Sequence, residues 1–505
     1  MKAAKFTLAQ IRGLTANRAW KSACAVFLFC ALAAIASPAQ TFTTLLDFDI
    51  TNGSFQRSAS GQALVQGLDG NFYGVTGNGG ANCTTQGGMG CGQVFKITST
   101  GTLTTLYSFC SATNCSDGWL PLGGLILGTD GNFYGTTNAG GEGSAGTVFK
   151  VTPEGVLTTL YSFRDTLVDG AYPYAGLVEA ANGNFYGTNP LEGGSNGGGQ
   201  GTIFGITPQG NLIGVYSFPC LISNCASGAQ PYGSLVQASN GDFYGTNREG
   251  GANGAGTIFK FSAHNGMLTT LHNFGSKGDG SQPYAGLLLA ADGNFYGTTP
   301  LGGAHYTAGT IFRMDAAGNE TRLYSFCSQP HCTDGSTPEA PLVQGTDGNF
   351  YGTTTRSGAH GYGTIFAITP GGTLTTLHSF DVSDGAYPAE ALVQGTDGVF
   401  YGLTPSGGPG GIFNGNGTVF SLDVGLGPFA RTNPTSGKVG TSVVILGNNL
   451  TGTTAVSING VAATFTIVSA TEITATVPAG ATTGRVTVAA PGGTLTSNVN
   501  FRVSP

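Results

Sequence analysis

Residues 129–137 read TDGNFYGTT, and near-copies of this stretch recur six more times along the 505-residue chain. Its first half is turn chemistry. Asp130-Gly131 is a strong hairpin signal, because glycine accepts a positive φ. Its second half, Phe133 to Thr137, carries the aromatic and β-branched residues that suit a strand. The Phe of each FYG falls at Phe72, Phe133, Phe185, Phe243, Phe295, Phe350 and Phe400, with spacings of 61, 52, 58, 52, 55 and 50 residues. A near-constant period of this size signals a propeller, a solenoid or an array.

Each unit holds four strand-like pieces, which in the second unit are GGLIL, NFYGTT, GTVFKVT and VLTTLYSF. Asp-Gly joins the first piece to the second. TPEG at 152–155, TPQG at 207–210 and TPGG at 369–372 join the third to the fourth, with proline presetting the turn. The Asp of each DGN turn reads as a turn former, since the spaced carboxylates and closing Glu of a calcium loop are absent. Four antiparallel strands in each of seven units is the arithmetic of a seven-bladed β-propeller. A parallel β-helix would need shorter rungs and no hairpin after every strand. The repeats open at 41–48 with TFTTLLDF, a copy of the fourth strand alone, and end at 417–422 with GTVFSL, a copy of the third. The expectation is therefore an all-β protein: a seven-bladed β-propeller over 41–424, closed by the amino-terminal strand. A linker at 425–432 and a small immunoglobulin-like β-sandwich over 433–505 follow, the latter read from alternating strands and Gly/Pro/Asn turns.

Composition agrees. Only 9% of residues are charged, and the 87 glycines follow no Gly-X-Y period, which excludes collagen and argues against disorder. Residues 1–39 differ from the rest. Lys2, Lys5, Arg12, Arg18 and Lys21 precede the apolar run ACAVFLFCALAAIA, and SPAQ places small residues for cleavage after Ala39. This is a secretory signal peptide, too short in its apolar run for a comfortable membrane span. Phe29 before Cys30 does not suit a lipoprotein signal. Removing the leader's five of 19 basic residues leaves 14 against 26 acidic ones, a net charge of about −12. An acidic chain without a basic cluster is a poor nucleic-acid binder. No transmembrane segment is expected in the mature chain.

Eight cysteines follow the leader: Cys83, Cys91, Cys110, Cys115, Cys220, Cys225, Cys327 and Cys332. Their even number and close spacing in an exported chain read as disulfides. Three pairs, CSATNC, CLISNC and CSQPHC, fall in one loop type, and the longer repeats carry them, so extra loop length arrives with its own cross-link. A zinc site would need two pairs brought together. No cofactor and no metal are expected.

The repeat resembles the GloVer tandem repeat of choice-of-anchor bacterial surface proteins, on the motifs DGNFYGTT, GTVFKVT and LTTLYSF over about residues 41–424. That resemblance implies an exported protein and carries no assigned activity. The DGN-aromatic turn is also similar to the streptogramin-lyase type of propeller. The tail resembles an IPT/TIG domain, on NPTSGKVGTSVVILGNNL, VSINGVAATF and ATVPAGATTGRVTV, and such domains are spacers or binding modules at cell surfaces. The chain ends at Pro505 without a hydrophobic tail or sorting motif, so the resemblance does not assign an anchor.

In a propeller, the loops from fourth to next first strand and from second to third share one face, and here these are the long, variable ones. Tyr174, Tyr232 and Tyr284 hold one equivalent position in three consecutive units. Tyr172 and Tyr387 match each other two positions earlier, and Trp119 sits nearby in another unit. These aromatics are the candidate ligand-binding residues, with packing between blades as the competing role. His305 and His360 occupy matching loop positions and are the candidates for acid–base chemistry, although Asn82 and Asn253 fill the same slot elsewhere. His331, His272 and His378 are expected at the surface, and Glu339 and Glu390 near the mouth. No nucleophile elbow, phosphate loop or zinc-protease helix is present. The expected function is non-catalytic binding or adhesion, toward a glycan or a cell-surface protein. An extracellular lyase or hydrolase on the same face, and a structural envelope protein, are the alternatives. Sparse titrating groups weigh against catalysis.

Overall fold

The DGN turn explains its own spelling. Asp130 accepts hydrogen bonds from the Asn132 backbone N–H at 3.1 Å, the Asn132 side-chain amide at 2.8 Å and the Tyr134 hydroxyl at 2.8 Å. The Asn two residues on and the Tyr four residues on thus both serve the Asp, and in the seventh repeat Val399 stands for the Asn and supplies its backbone N–H alone, at 3.1 Å. The same carboxylate–hydroxyl bond recurs at Asp69–Tyr73, Asp292–Tyr296, Asp347–Tyr351 and Asp397–Tyr401. The computed structural model describes residues 40–49, 63–83, 90–164, 169–191, 200–219, 225–276, 278–304 and 307–504. The expected signal peptide, Cys220 and His305 lie outside the described residues.

From each turn the chain builds an antiparallel sheet in sequence order. In the second repeat its strands are Ile126–Leu127, Phe133–Thr137, Thr147–Val151 and Leu157–Ser162. Seven such four-stranded sheets occur among the described residues of the repeat region. The second strand is buried throughout, while the fourth is half-buried except at the exposed Thr158. The glycine of FYG is required by packing: a Cβ on Gly135 would stand 2.7 Å from Phe149 and 2.9 Å from Leu125. Those two side chains, from the third strand and from the residue just before the first, meet across the glycine.

Neighbouring sheets are joined by three repeated contacts. The FYG tyrosine stacks on the FYG phenylalanine of the next sheet, as in Tyr134 on Phe185 with centroids 4.1 Å apart. Such pairs contribute about 0.5–1.5 kcal/mol beyond the area they bury. Next, a threonine hydroxyl donates to a carbonyl of the following repeat: Thr136 to Ala175, Thr188 to Gly233, Thr246 to Ala285, Thr298 to Ala340 and Thr353 to Glu390. Finally, a Glu or Gln at the end of the first strand accepts from the turn N–H of the repeat before it, as Glu179 does from Thr129 and Gln394 from Thr346.

The amino-terminal strand Thr41–Asp47 pairs antiparallel with Thr418–Asp423, in a sheet ordered Thr41–Asp47, Thr418–Asp423, Phe400–Thr404, Val393–Gln394. Two of the inter-sheet contacts also link the seventh repeat to the first. Tyr401 lies 4.1 Å from Phe72, and Gln66 accepts from the Thr396 N–H at 3.1 Å.

The strand that follows the repeats begins at Arg431. Residues 431–504 contain two further four-stranded sheets and share a core that includes Val443, Ile445, Val456, Ile473, Val488 and Phe501. This tail and the repeats form one compact unit, Thr41–Pro505. The tail rests on the turn end of the first, second and seventh sheets: Thr471 donates to Leu68 O at 2.8 Å, Asn433 to Gly128 O at 3.2 Å and the Phe429 N–H to Thr396 O at 3.0 Å. The opposite end carries the long loops.

Candidate functional site

At the loop end, the connection entering each first strand pairs with the connection between second and third strands. Bridges link Trp119 to Ala139, Ala171 to Leu191, Ala229 to Glu249, Ser336 to Arg356 and Ala386 to Ser406. The two long loop types therefore do share one end of the sheets. In the entering connection, the residue before the proline takes a left-handed backbone in six repeats: Leu120, Tyr172, Gln230, Gln282, Thr337 and Tyr387, with φ from 55° to 60°. Each of these non-glycine residues costs on the order of 1–2 kcal/mol of local strain. The compensation is visible in the backbone. Each N–H donates to a carbonyl of the preceding repeat, as Tyr172 does to Ala145 at 2.9 Å and Tyr387 to Tyr362 at 2.8 Å.

This places the candidate aromatics in two groups. Tyr172 and Tyr387 occupy the strained position, where Leu, Gln and Thr serve in other repeats, so their shared feature is backbone geometry. Tyr172 is half-buried against the core of its repeat, and Tyr387 lies 5.8 Å from Tyr362. Trp119 is 39% exposed at the same end. Tyr174, Tyr232 and Tyr284, two residues further on, come together. Tyr174 meets Tyr232 edge-on at 5.1 Å, and Tyr232 meets Tyr284 at 5.0 Å. They form a half-buried ladder across three consecutive sheets, where the first strands begin.

The ladder has a component that sequence reasoning missed. The Arg248 guanidinium lies 4.9 Å from the Tyr284 ring centroid and 5.9 Å from that of Tyr232, within cation–π range. Arg248 also donates to Gln230 at 3.2 Å and pairs with Glu249 at 3.4 Å. Its only signal in the sequence is position: it follows the second strand, where Pro190, Pro300 and Pro405 stand in other repeats. Burial raises the pKa of all three tyrosines, and Arg248 partly opposes that at Tyr232 and Tyr284. The phenols therefore stay protonated at neutral pH and remain hydrogen-bond donors. Glu339 is half-buried near Tyr284 and raises its pKa further, while Glu390 is buried.

The histidine slot has a structural reading. Asn82 donates to Ser108 O at 3.1 Å and Phe109 O at 2.9 Å, and Asn253 to Phe274 O at 2.9 Å, closing the end of the fourth strand. His360 is exposed in that slot. His331 is exposed as expected, but His272 and His378 are not simple surface groups. His378 Nε2 lies 2.8 Å from Asp384, and the ring stacks on Phe42 of the amino-terminal strand at 3.8 Å. His272 lies 3.4 Å from Asp279. Both replace the tyrosine that elsewhere bonds the loop aspartate, as in Tyr107–Asp117 and Tyr324–Asp334. That aspartate in turn caps loop N–H groups, such as Ser111 at 2.9 Å.

Cys83–Cys91, Cys110–Cys115 and Cys327–Cys332 form disulfides, and Cys225 is disulfide-bonded. At the turn end, a cleft of about 460 Å³ separates the tail from the repeats, lined by Leu68, Asp69, Tyr73, Phe133, Pro153 and Thr471 among others. Among the described residues, no helix is long and apolar enough to cross a membrane.

The chain belongs to the Gloeobacter/Verrucomicrobia repeat family, whose model matches residues 33–226, 83–288, 191–420 and 276–468 in overlapping registers. No curated protein matches it. Among solved structures, it is similar to a fungal alcohol oxidase of the AA5 family in complex with copper, at 14% identity and a TM-score of 0.53, over 92% of this chain and 99% of that one. A putative 6-phosphogluconolactonase from Bacteroides uniformis matches at 18% identity and a TM-score of 0.44, over 66% and 88%. At such identities the likeness concerns the fold alone: an all-β chain with propeller-like neighbours.

Proposed function

We propose that the seven sheets close into a seven-bladed propeller, with Thr41–Asp47 completing the last blade. Residues 433–505 form an immunoglobulin-like IPT/TIG domain that acts as a spacer. The chain is exported by its first 39 residues and works outside the cell as a non-catalytic binding or adhesion protein. Its loop end recognises a glycan or a surface protein.

The observation that carries this reading is the Tyr174–Tyr232–Tyr284 ladder with Arg248 across it. Aromatic faces and edges beside phenol donors and one guanidinium suit ligands that are part apolar and part hydroxylated, as sugar rings are. The ladder spans three sheets, so the rigid scaffold sets its spacing and little ordering entropy is lost on binding. Placement of the tail on the turn end supports the reading, because the loop end stays clear of it.

The test is binding of the purified protein to a glycan and cell-wall array. It runs beside the combined Tyr174→Ala, Tyr232→Ala and Tyr284→Ala variant and an Arg248→Ala variant, each checked for native circular dichroism. Selective binding that falls at least about tenfold in the triple variant, roughly 1.4 kcal/mol, is the expected result. Equal binding by the folded variants, or none by the wild type, rejects the ladder as a ligand site.

A further inference from the structure

Cys83 lies in the connection between the second and third strands of the first repeat, and Cys91 two residues before the third strand, Gln93–Ile97. Cys110 follows the fourth strand, Leu103–Ser108, and Cys115 ends the short turn Thr113–Cys115. These two loop segments converge at the loop end. All four sulfurs lie within 4.8 Å of one another. The other bonded cysteines, Cys225 and the Cys327–Cys332 pair, belong to no such group among the described residues. Sequence spacing alone does not reveal this cluster, because it depends on the second-to-third and fourth-to-first loops meeting.

We propose that Cys83, Cys91, Cys110 and Cys115 form a tetrathiolate site for a divalent metal, zinc being the natural occupant, once their two disulfides are reduced. Tetrahedral zinc with Zn–S bonds of about 2.3 Å holds its sulfurs about 3.8 Å apart, so the existing cluster needs movements of only about 1 Å. The balance is explicit. Two equivalents of a dithiol reductant cleave the two S–S bonds, giving four thiols and two oxidised reductant molecules. Binding of one zinc ion then releases four protons and leaves a centre of charge −2. Three of the four cysteines are only half-buried, which admits both reductant and ion. The cluster thus has two closed forms: a pair of disulfides, each closing its own loop, or one metal centre that joins the two loops. The redox state of the surroundings selects between them.

The test uses the full chain with Cys24→Ser and Cys30→Ser, which leaves eight of the ten cysteines. After reduction by a dithiol, removal of the reductant and loading with zinc, alkylation is followed by mass spectrometry. The expected result is four protected cysteines, mapped to Cys83, Cys91, Cys110 and Cys115, with one ion per chain. Cobalt in place of zinc gives the intense thiolate charge-transfer bands of a tetrahedral site. Added Cys110→Ser and Cys115→Ser substitutions abolish protection and bands, whereas Cys327→Ser and Cys332→Ser leave both unchanged. Near-UV circular dichroism of the zinc-loaded chain matches that of the oxidised protein. Two or fewer protected cysteines, protection that includes Cys327, or loss of the near-UV signal that zinc does not restore overturns the proposal.

Discussion

The proposed closure of the repeat region makes a quantitative demand on one side chain. Tyr401 of the seventh repeat is 3% exposed and packs on Phe72 of the first, which is 1% exposed, with ring centroids 4.1 Å apart. Tyr134, between the second and third repeats, is 1% exposed and packs on Phe185 at the same 4.1 Å. Each hydroxyl also bonds its turn aspartate, at 2.7 Å for Tyr401 and 2.8 Å for Tyr134. Truncation of a buried aromatic to alanine costs about 3–5 kcal/mol. In a closed ring, Tyr401→Ala and Tyr134→Ala should therefore cost the same within about 1 kcal/mol. In an open array, Tyr401 and Phe72 would face solvent at the two ends, and Tyr401→Ala would cost about 0.5 kcal/mol. For a cooperative unit of about 400 residues the unfolding entropy is about 0.8 kcal/mol/K, so a 4 kcal/mol loss lowers Tm by about 5 °C. Guanidinium denaturation and calorimetry of both variants supply the comparison. A Tyr134→Ala loss above 3 kcal/mol beside a Tyr401→Ala loss below 1 kcal/mol would refute closure.

Thr188→Val removes the hydroxyl that bonds Gly233 O at 3.2 Å and keeps the side-chain shape. The expected cost is about 1–2 kcal/mol in denaturation, because a buried carbonyl loses its partner. Val75 and Leu403 fill the same position in the first and seventh repeats, so an undetectable cost would mean that the threonine contacts do not hold the sheets together. Glu320 is a pH-dependent liability. Burial, reinforced by the Asp279 charge, pushes its pKa up to about 7. A carboxyl raised in the folded state holds its proton more tightly there than when unfolded, so its penalty is absent below the unfolded value and grows as pH rises toward 7. Glu320 is partly solvated, which trims the penalty to the order of 1–2 kcal/mol at pH 8. Glu320→Gln should raise Tm at pH 8, leave it nearly unchanged at pH 4.5 and flatten the pH profile between. A variant that tracks the wild type across that range would discard this assignment.

Much of the architecture is local and so was legible in the chain. The Asp, Asn and Tyr of each DGNFY bond one another within four residues, and the hairpins follow from them wherever they occur. Periodicity then set the number of sheets, and the lone fourth-strand copy at 41–48 announced its pairing with 418–423. The disulfides between near neighbours were equally local. What the sequence could not decide are the relations between residues far apart in the chain. Arg248 reaches Tyr284 because two adjacent sheets bring the end of one second strand over the start of the next first strand. His378 stacks on Phe42 across more than 300 residues because the amino-terminal strand enters the last sheet. The four sulfurs of the first repeat meet because two long loops converge on one end of the sheets. Turn chemistry and strand patterning act over a few residues and can be read one repeat at a time. The neighbours of a loop side chain are set by how sheets pack, and only the tertiary structure supplies them.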